Sequence, residues 1–265
     1  VGGLLYVVPA LLWMLVGAGM HFGPPAFREA AGAEFGRLAA EGDTAAVVYA
    51  TGDFAAVAAQ RVSDYVSMSL PNSVFLLPTV LGVFLIGSWL LHAGRLDDVA
   101  AHRGFFIRLA VAGVALGAPL VGLSLALGVD FEPATEAGRA TLAASAMMLG
   151  SLPLALGYVS LLALLSLTSR GARALALVAP AGRMALTHYL TQSVVASLVF
   201  YGYGLGLAGE VGRAAQLALV AAVFALQVAF SHWWLARFHY GPLEWLWRAG
   251  TNLERPPFRR IGAHA

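Results

Sequence analysis

Apolar residues run along this chain in six long stretches, at about 4–22, 73–93, 105–128, 141–167, 184–207 and 212–236. Each matches the ~20 residues a helix needs to cross about 30 Å of hydrocarbon. Strand-type alternation is absent, and β-branched residues other than Val are scarce. Helices keep every backbone polar group satisfied in lipid. The pattern predicts an all-α polytopic membrane bundle of about six transmembrane helices with short surface helices. The fourth stretch contains Gly150 and Pro153, which predict a kinked helix or a short surface helix followed by a span.

The longest polar interruption is 23–72. It is acidic, opens with Pro24-Pro25 and predicts two or three short helices on the extracytoplasmic side. Within 53–69, Phe54, Val57, Ala58, Val62, Tyr65 and Val66 recur at helical spacing. That spacing fits an amphipathic helix on the membrane face. It also fits a lid with Arg61 and Asp64 turned inward. Fifty residues are too few for a separate domain with its own core. One membrane domain over 1–248, followed by a basic cytoplasmic tail over 249–265 that frays, is the expected organisation. Arg255, Arg259 and Arg260 in that tail suit anionic headgroups.

Composition sharpens the class. Of 265 residues, 59% are apolar and 11% charged, and mean hydropathy is +0.76. A soluble domain carries about 25% charge, so a soluble enzyme is excluded, and so is disorder. All sixteen basic residues are Arg. Eleven of them (95, 103, 108, 170, 173, 183, 237, 248, 255, 259 and 260) fall in the loops at 94–108 and 168–183 and after 236. The other five (28, 37, 61, 139 and 213) share the opposite side with ten of the fourteen acidic residues. The positive-inside rule therefore places both ends of the chain in the cytoplasm. Net charge is +2 and no basic stripe carries interleaved aromatics, so no nucleic-acid partner is expected. Zero Cys removes disulfides, thiolate metal sites and Cys nucleophiles.

Polar groups inside spans are costly and mark function by default. The fifth stretch opens GRMALTHYLTQS (182–193), which puts Thr187, His188, Tyr189, Thr191, Gln192 and Ser193 in one half-span. His188 and Gln192 share a face, as do Thr187 and Thr191. Such a face serves as inter-helix hydrogen bonding, or as a polar intramembrane wall with His188 as catalytic proton acceptor. The sixth stretch closes with SHWWLARFHYGPLEWLWR (231–248). Its Trp residues suit an interfacial belt, and Gly241-Pro242 starts a new short helix. On that helix Glu244 and Arg248 are i,i+4. They anchor a surface elbow, or face a cytoplasmic donor. Gln227 and His232 read as packing hydrogen bonds, and His21 as an interface histidine. Asp130, Glu132 and Glu136 form an acidic outer loop without calcium-loop spacing. No nucleotide-binding loop and no metal-ligand spacing is present.

Several blocks in this order resemble the YeiB-like family, bacterial multi-pass membrane proteins carrying domain of unknown function 418. They are GRMALTHYLTQS, FYGYGLGL (200–207), SHWWL (231–235) and FHYGPLEWLWR (238–248), with LGVFLIG (81–87) and ALGY (155–158) in support. At His188 the family pattern has Asn. The resemblance extends distantly to transmembrane acyltransferases. It implies an acyl thioester donor in the cytoplasm, an envelope glycan or lipid acceptor, and Arg183 and Arg248 on donor phosphates. No other cofactor is evident. Family members carry further N-terminal spans. Val1 runs straight into an apolar stretch without a charged n-region or a cleavage site, so a signal peptide is not expected. An N-terminally incomplete chain is expected instead. Two other readings stand beside acyl transfer: a small-solute or lipid transporter, drawing on helix breaks at Gly150–Pro153 and Gly241–Pro242, and a non-catalytic assembly subunit.

Overall fold

A computed structural model of the chain describes residues 1–128 and 136–259. Asp130, Glu132 and Arg260 lie outside the described residues. The described fold is helical: α1 Gly2–Phe22, α2 Pro25–Thr51, α3 Phe54–Asp64, a π turn Tyr65–Ser69, α4 Leu70–His92, α5 Arg103–Gly128, α6 Ala137–Ser166, α7 Ser169–Gly182, α8 Ala185–Phe200, α9 Arg213–Leu235 and α10 Pro242–Asn252. Five helical stretches are long and apolar enough to cross a membrane: 2–22, 54–92, 103–128, 137–166 and 213–235. The chain is a multi-pass membrane protein with an all-α bundle.

Three boundaries differ from the sequence reading. The helix that carries the second apolar stretch starts well before 73, being continuous from Phe54 to His92 over 39 residues. At 1.5 Å per residue that is about 58 Å, roughly twice the hydrocarbon thickness. Pro71, which looks like a breaker, sits in the first turn of α4 directly after the π turn, where its missing N–H is tolerated. The stretch at 168–183 is helix α7 rather than a loop. The fifth apolar stretch does not run to 207, since α8 has 16 residues and ends at Phe200, about 24 Å of helix.

The end of α8 shows how the backbone is satisfied there. A helix leaves its last four carbonyls without partners. The carbonyls of Ser197, Leu198, Val199 and Phe200 accept the N–H groups of Tyr201 (3.0 Å), Leu205 (2.8 Å), Leu207 (3.2 Å) and Ala208 (3.0 Å). The YGYGLGL run folds back to do this. Gly206 takes a positive φ of 65°, and at Gly204 an added Cβ would strike the Leu198 carbonyl.

Backbone contacts divide the chain into two compact units: Val1–Ala45 with Arg61–Thr168, and Ala46–Gln60 with the chain from Ser169 onward. In the first unit, α5 and α6 pack most closely. A Cβ on Gly117 would lie 2.7 Å from the Gly150 carbonyl, and one on Gly113 would strike the Pro153 carbonyl. Gly113 and Gly117 form a G-x-x-x-G face that lets the backbones approach. The α6 helix runs unbroken through Pro153. The Tyr6 hydroxyl donates to the Met148 carbonyl close to that proline. Gly17 and Gly138 bring α1 against α6 in the same way.

In the second unit, the α2–α3 elbow docks on the glycine-rich turn. The Gly202 N–H donates to the Tyr49 carbonyl at 2.9 Å, and Tyr49 stacks on Tyr201 at 5.2 Å. On α3, Val57 is 2% exposed, while Phe54 at the start of the helix is exposed. At the other end, Phe258 packs on Phe238 and Trp245, and the His239 N–H donates to the Phe258 carbonyl. Residues 253–259, read as a fraying tail, fold back onto this elbow.

Candidate functional site: a polar track between α8 and α9

The polar half of α8 divides by face. His188 is buried, and its Nε2 lies 2.6 Å from the Ser231 hydroxyl on α9. One turn on, Gln192 donates from Nε2 to the Gln227 side-chain oxygen at 2.7 Å. The Gln227 amide donates in turn to the His188 carbonyl at 3.3 Å. The two cross-helix pairs, 188 with 231 and 192 with 227, form an antiparallel ladder with four-residue steps. Thr191 spends its hydroxyl on the Thr187 and His188 carbonyls. Tyr189, 67% exposed, and Ser193 lie on the outward face, and the Ser193 hydroxyl donates to the Tyr189 carbonyl.

The tautomer of His188 follows from proton counting. Ser231 has one hydroxyl proton, and its oxygen lies 2.7 Å from the Gln227 carbonyl, which can only accept. When Ser231 donates there, it must accept from the His188 Nε2–H. The Nδ1 lone pair is then left as the basic face of the ring.

The ladder continues as an apolar slot. Beyond Gln192, residues Val195, Ala196 and Phe200 of α8 face Leu219, Val223 and Phe224 of α9 around a cavity of about 270 Å³. The backbone of α9 packs closely on α7 rather than on α8, and the space between α8 and α9 is bridged by the long polar side chains. His232 donates from Nε2 to the Leu177 carbonyl at 2.8 Å, which ties α9 to α7.

Below His188, α8 and α10 meet start to start. Each helix leaves its first N–H groups without internal partners. Glu244 accepts the Thr187 N–H at 3.0 Å and the Thr187 hydroxyl at 2.5 Å. The Thr187 oxygen accepts the Leu243 N–H at 3.2 Å. A Cβ on Gly241 would strike the Glu244 carboxylate, so a larger residue there would displace that carboxylate from its present position. Glu244 thus ties the two helix starts together while also lining the cavity beside Arg248. Arg248 does not pair with it. Its guanidinium lies over the Tyr240 ring at 4.8 Å and borders a cavity of about 570 Å³ with Leu186, Glu244, Trp247, Thr251 and Asn252. Arg183 is exposed and donates to the His239 carbonyl at 3.4 Å.

Ser231 is the residue that sequence reading missed. Its signal was available: Gln227 and Ser231 repeat on α9 the i,i+4 polar spacing that drew attention to His188 and Gln192 on α8.

Comparison with known proteins places this architecture. Residues 90–254 match the family model described as "Protein of unknown function (DUF418)". The chain belongs to the DUF418 family. It is similar to the uncharacterized protein YxaH of Bacillus subtilis (strain 168), with 32% identity over 222 residues, 80% of this chain and 52% of that protein. It is also similar to the uncharacterized protein YeiB of Escherichia coli (strain K12), with 34% identity over 175 residues, 64% of this chain and 43% of that protein. The chain thus spans about half the length of these curated DUF418 relatives. No solved structure matches it. The family match covers α5 to α10, so both the glycine-packed α5–α6 pair and the α8–α9 track fall within DUF418.

Proposed function

We propose that this DUF418 chain is part of a membrane-embedded transferase. It moves an acyl group from a cytoplasmic thioester to an envelope glycan or lipid acceptor across a bacterial inner membrane. The observation that carries this reading is the amphiphilic track between α8 and α9. It has a hydrogen-bonded polar head of His188, Ser231, Gln192 and Gln227, continued by an apolar slot of about 270 Å³. A slot with one polar end matches an acyl chain with its carbonyl at that end.

Each group then has a role. His188 Nδ1 takes the proton of the acceptor hydroxyl as the hydroxyl oxygen attacks the thioester carbonyl. The C–S bond breaks, the thiolate takes up a proton and leaves as thiol, and the acceptor leaves as an ester. Ser231 is fully buried and acts as a positioning residue for the His188 ring. Thr187, Thr191 and Gln192 hold the polar wall, with Tyr189 and Ser193 on the far side of the helix. Arg248 and Arg183 supply positive charge for donor phosphates. The Arg-rich loops then face the cytoplasm, with both chain ends, by the positive-inside rule. Transport is the weaker reading, because α6 continues through Gly150–Pro153 and one of its two helix breaks is gone.

Deleting the gene and profiling envelope glycans and lipids by mass spectrometry tests the proposal. Loss of one acyl modification, restored by complementation, is the expected result. An unchanged acylation profile overturns it.

A further inference from the structure

A second cavity, independent of the acyl-transfer reading, lies in the first unit where the end of α1 meets the starts of α2 and α6. Its volume is about 610 Å³, and it is lined by Met20 and His21 of α1, Arg28, Glu29 and Gly32 of α2, and Glu136 before α6. Positions 25, 28, 29 and 32 form one face of α2, and that face lines the cavity. The backbones meet tightly behind it, since a Cβ on Gly138 would lie 2.5 Å from the His21 nitrogen.

Further along α2, Arg37 bridges Glu34 and Glu41, but neither Arg28 nor Glu29 has an ion-pair partner among the described residues. Arg28 and Glu29, adjacent on the helix, form no ion pair with each other. They present opposite charges side by side to one cavity. His21 adds a ring N–H or lone pair, and Glu136 adds a second carboxylate beside Arg139, to which it is bonded at 3.0 Å. The cavity opens at the last turn of a candidate membrane span, Gly2–Phe22, which is headgroup depth.

We propose that this cavity binds the zwitterionic headgroup of an ethanolamine phospholipid. Arg28 and His21 take the phosphate, and Glu29 with Glu136 takes the ammonium. An ammonium donates hydrogen bonds to two carboxylates, whereas a trimethylated choline cannot. An anionic glycerol headgroup leaves Glu29 facing like charge.

The test reconstitutes the full chain in nanodiscs of equimolar phosphatidylethanolamine, phosphatidylcholine and phosphatidylglycerol. Native mass spectrometry then reads which lipids stay bound. At least fivefold enrichment of ethanolamine over choline lipid is expected. Glu29→Gln should bring that ratio to about one, and Arg28→Gln should lower retention of both zwitterionic lipids. Soluble O-phosphoethanolamine that displaces no lipid makes the bilayer lipid the ligand. Displacement at millimolar concentration makes the free headgroup sufficient. Equal retention of ethanolamine and choline lipids overturns the proposal. So does an ethanolamine preference that survives both substitutions in correctly folded protein.

Discussion

The carboxylate of Glu244 holds both the backbone N–H and the hydroxyl of Thr187, 57 residues away along the chain. Each residue sits in the first turn of its helix, and each supplies what the other helix end lacks. An anion there also meets the positive ends of two helix dipoles. Removing it leaves the Thr187 N–H and hydroxyl at the start of α8 without their acceptor. Glu244→Ala is expected to cost about 1.5–3 kcal/mol, the range for a hydrogen bond to a charged group. Thermal unfolding in detergent checks the magnitude. Faster proteolysis within α10 than within α9 checks the location. A variant as stable as wild type would show that water replaces the carboxylate at no cost.

The α5–α6 seam makes a matched comparison possible within one helix. A Cβ at Gly117 would sit 2.7 Å from the Gly150 carbonyl, while one at Gly122 meets nothing within 4 Å. Gly117→Ala must push two backbones apart, at about 1–3 kcal/mol for overpacking. Gly122→Ala only gains helix propensity, up to about 1 kcal/mol. The two changes should therefore move the unfolding temperature in opposite directions. Parallel shifts would mean that the seam yields freely.

Much of this architecture was legible in the chain, and the failures have physical causes. All six apolar stretches contain helix, because the length and hydropathy of a span are properties of local sequence. The boundaries at 73 and 207 were not legible in the same way. Pro71 is a breaker in a helix interior and harmless in a first turn, and only the π turn before it decides which applies. Gly202, Gly204 and Gly206 were visible, but not that their turn folds back to cap four carbonyls of α8. The site divides likewise. The face shared by His188 and Gln192 follows from a period of 3.6. That Ser231 and Gln227 meet it depends on which helix packs against α8, a tertiary fact with no local signature. Glu244 and Arg248 are a favourable surface pair by spacing, yet Glu244 turns to Thr187 and Arg248 to Tyr240, since satisfying orphaned helix ends outweighs a solvent-exposed ion pair.

On α2, outside the spans, Arg37 hydrogen-bonds Glu34 and holds its carboxyl below the usual glutamate value, aided by the charge attraction between them. A folded pKa lowered in this way adds stability above the unfolded value of about 4.3. That stability is lost as pH falls through the folded value. Comparing wild type with Glu34→Gln should show a small difference at neutral pH that disappears under acid. The pair is solvent-exposed, so raising the salt concentration should shrink the difference too. A difference that persists in acid would assign the effect to helix propensity.

His188 and Ser231 can be separated by two substitutions. Ser231→Ala removes the oxygen that receives Nε2–H, leaves the ring free to turn, and frees the Gln227 carbonyl that the hydroxyl had satisfied. Cross-helix hydrogen bonds of this kind are worth about 0.6 kcal/mol on average in membranes, so the protein should still fold with little loss. If the ring is the base and Ser231 only aims it, Ser231→Ala should lower turnover while the pH midpoint of activity remains that of an imidazole. His188→Asn is the sharper change. The shorter amide falls short of the point where Nε2 meets Ser231, so that rung weakens while the Gln192–Gln227 rung remains. It has no basic nitrogen, so transfer should fall by two orders of magnitude or more, and the imidazole limb of the pH profile should vanish. Stable His188→Asn protein with full activity would move the base off His188 and leave the residue as a rung between two helices.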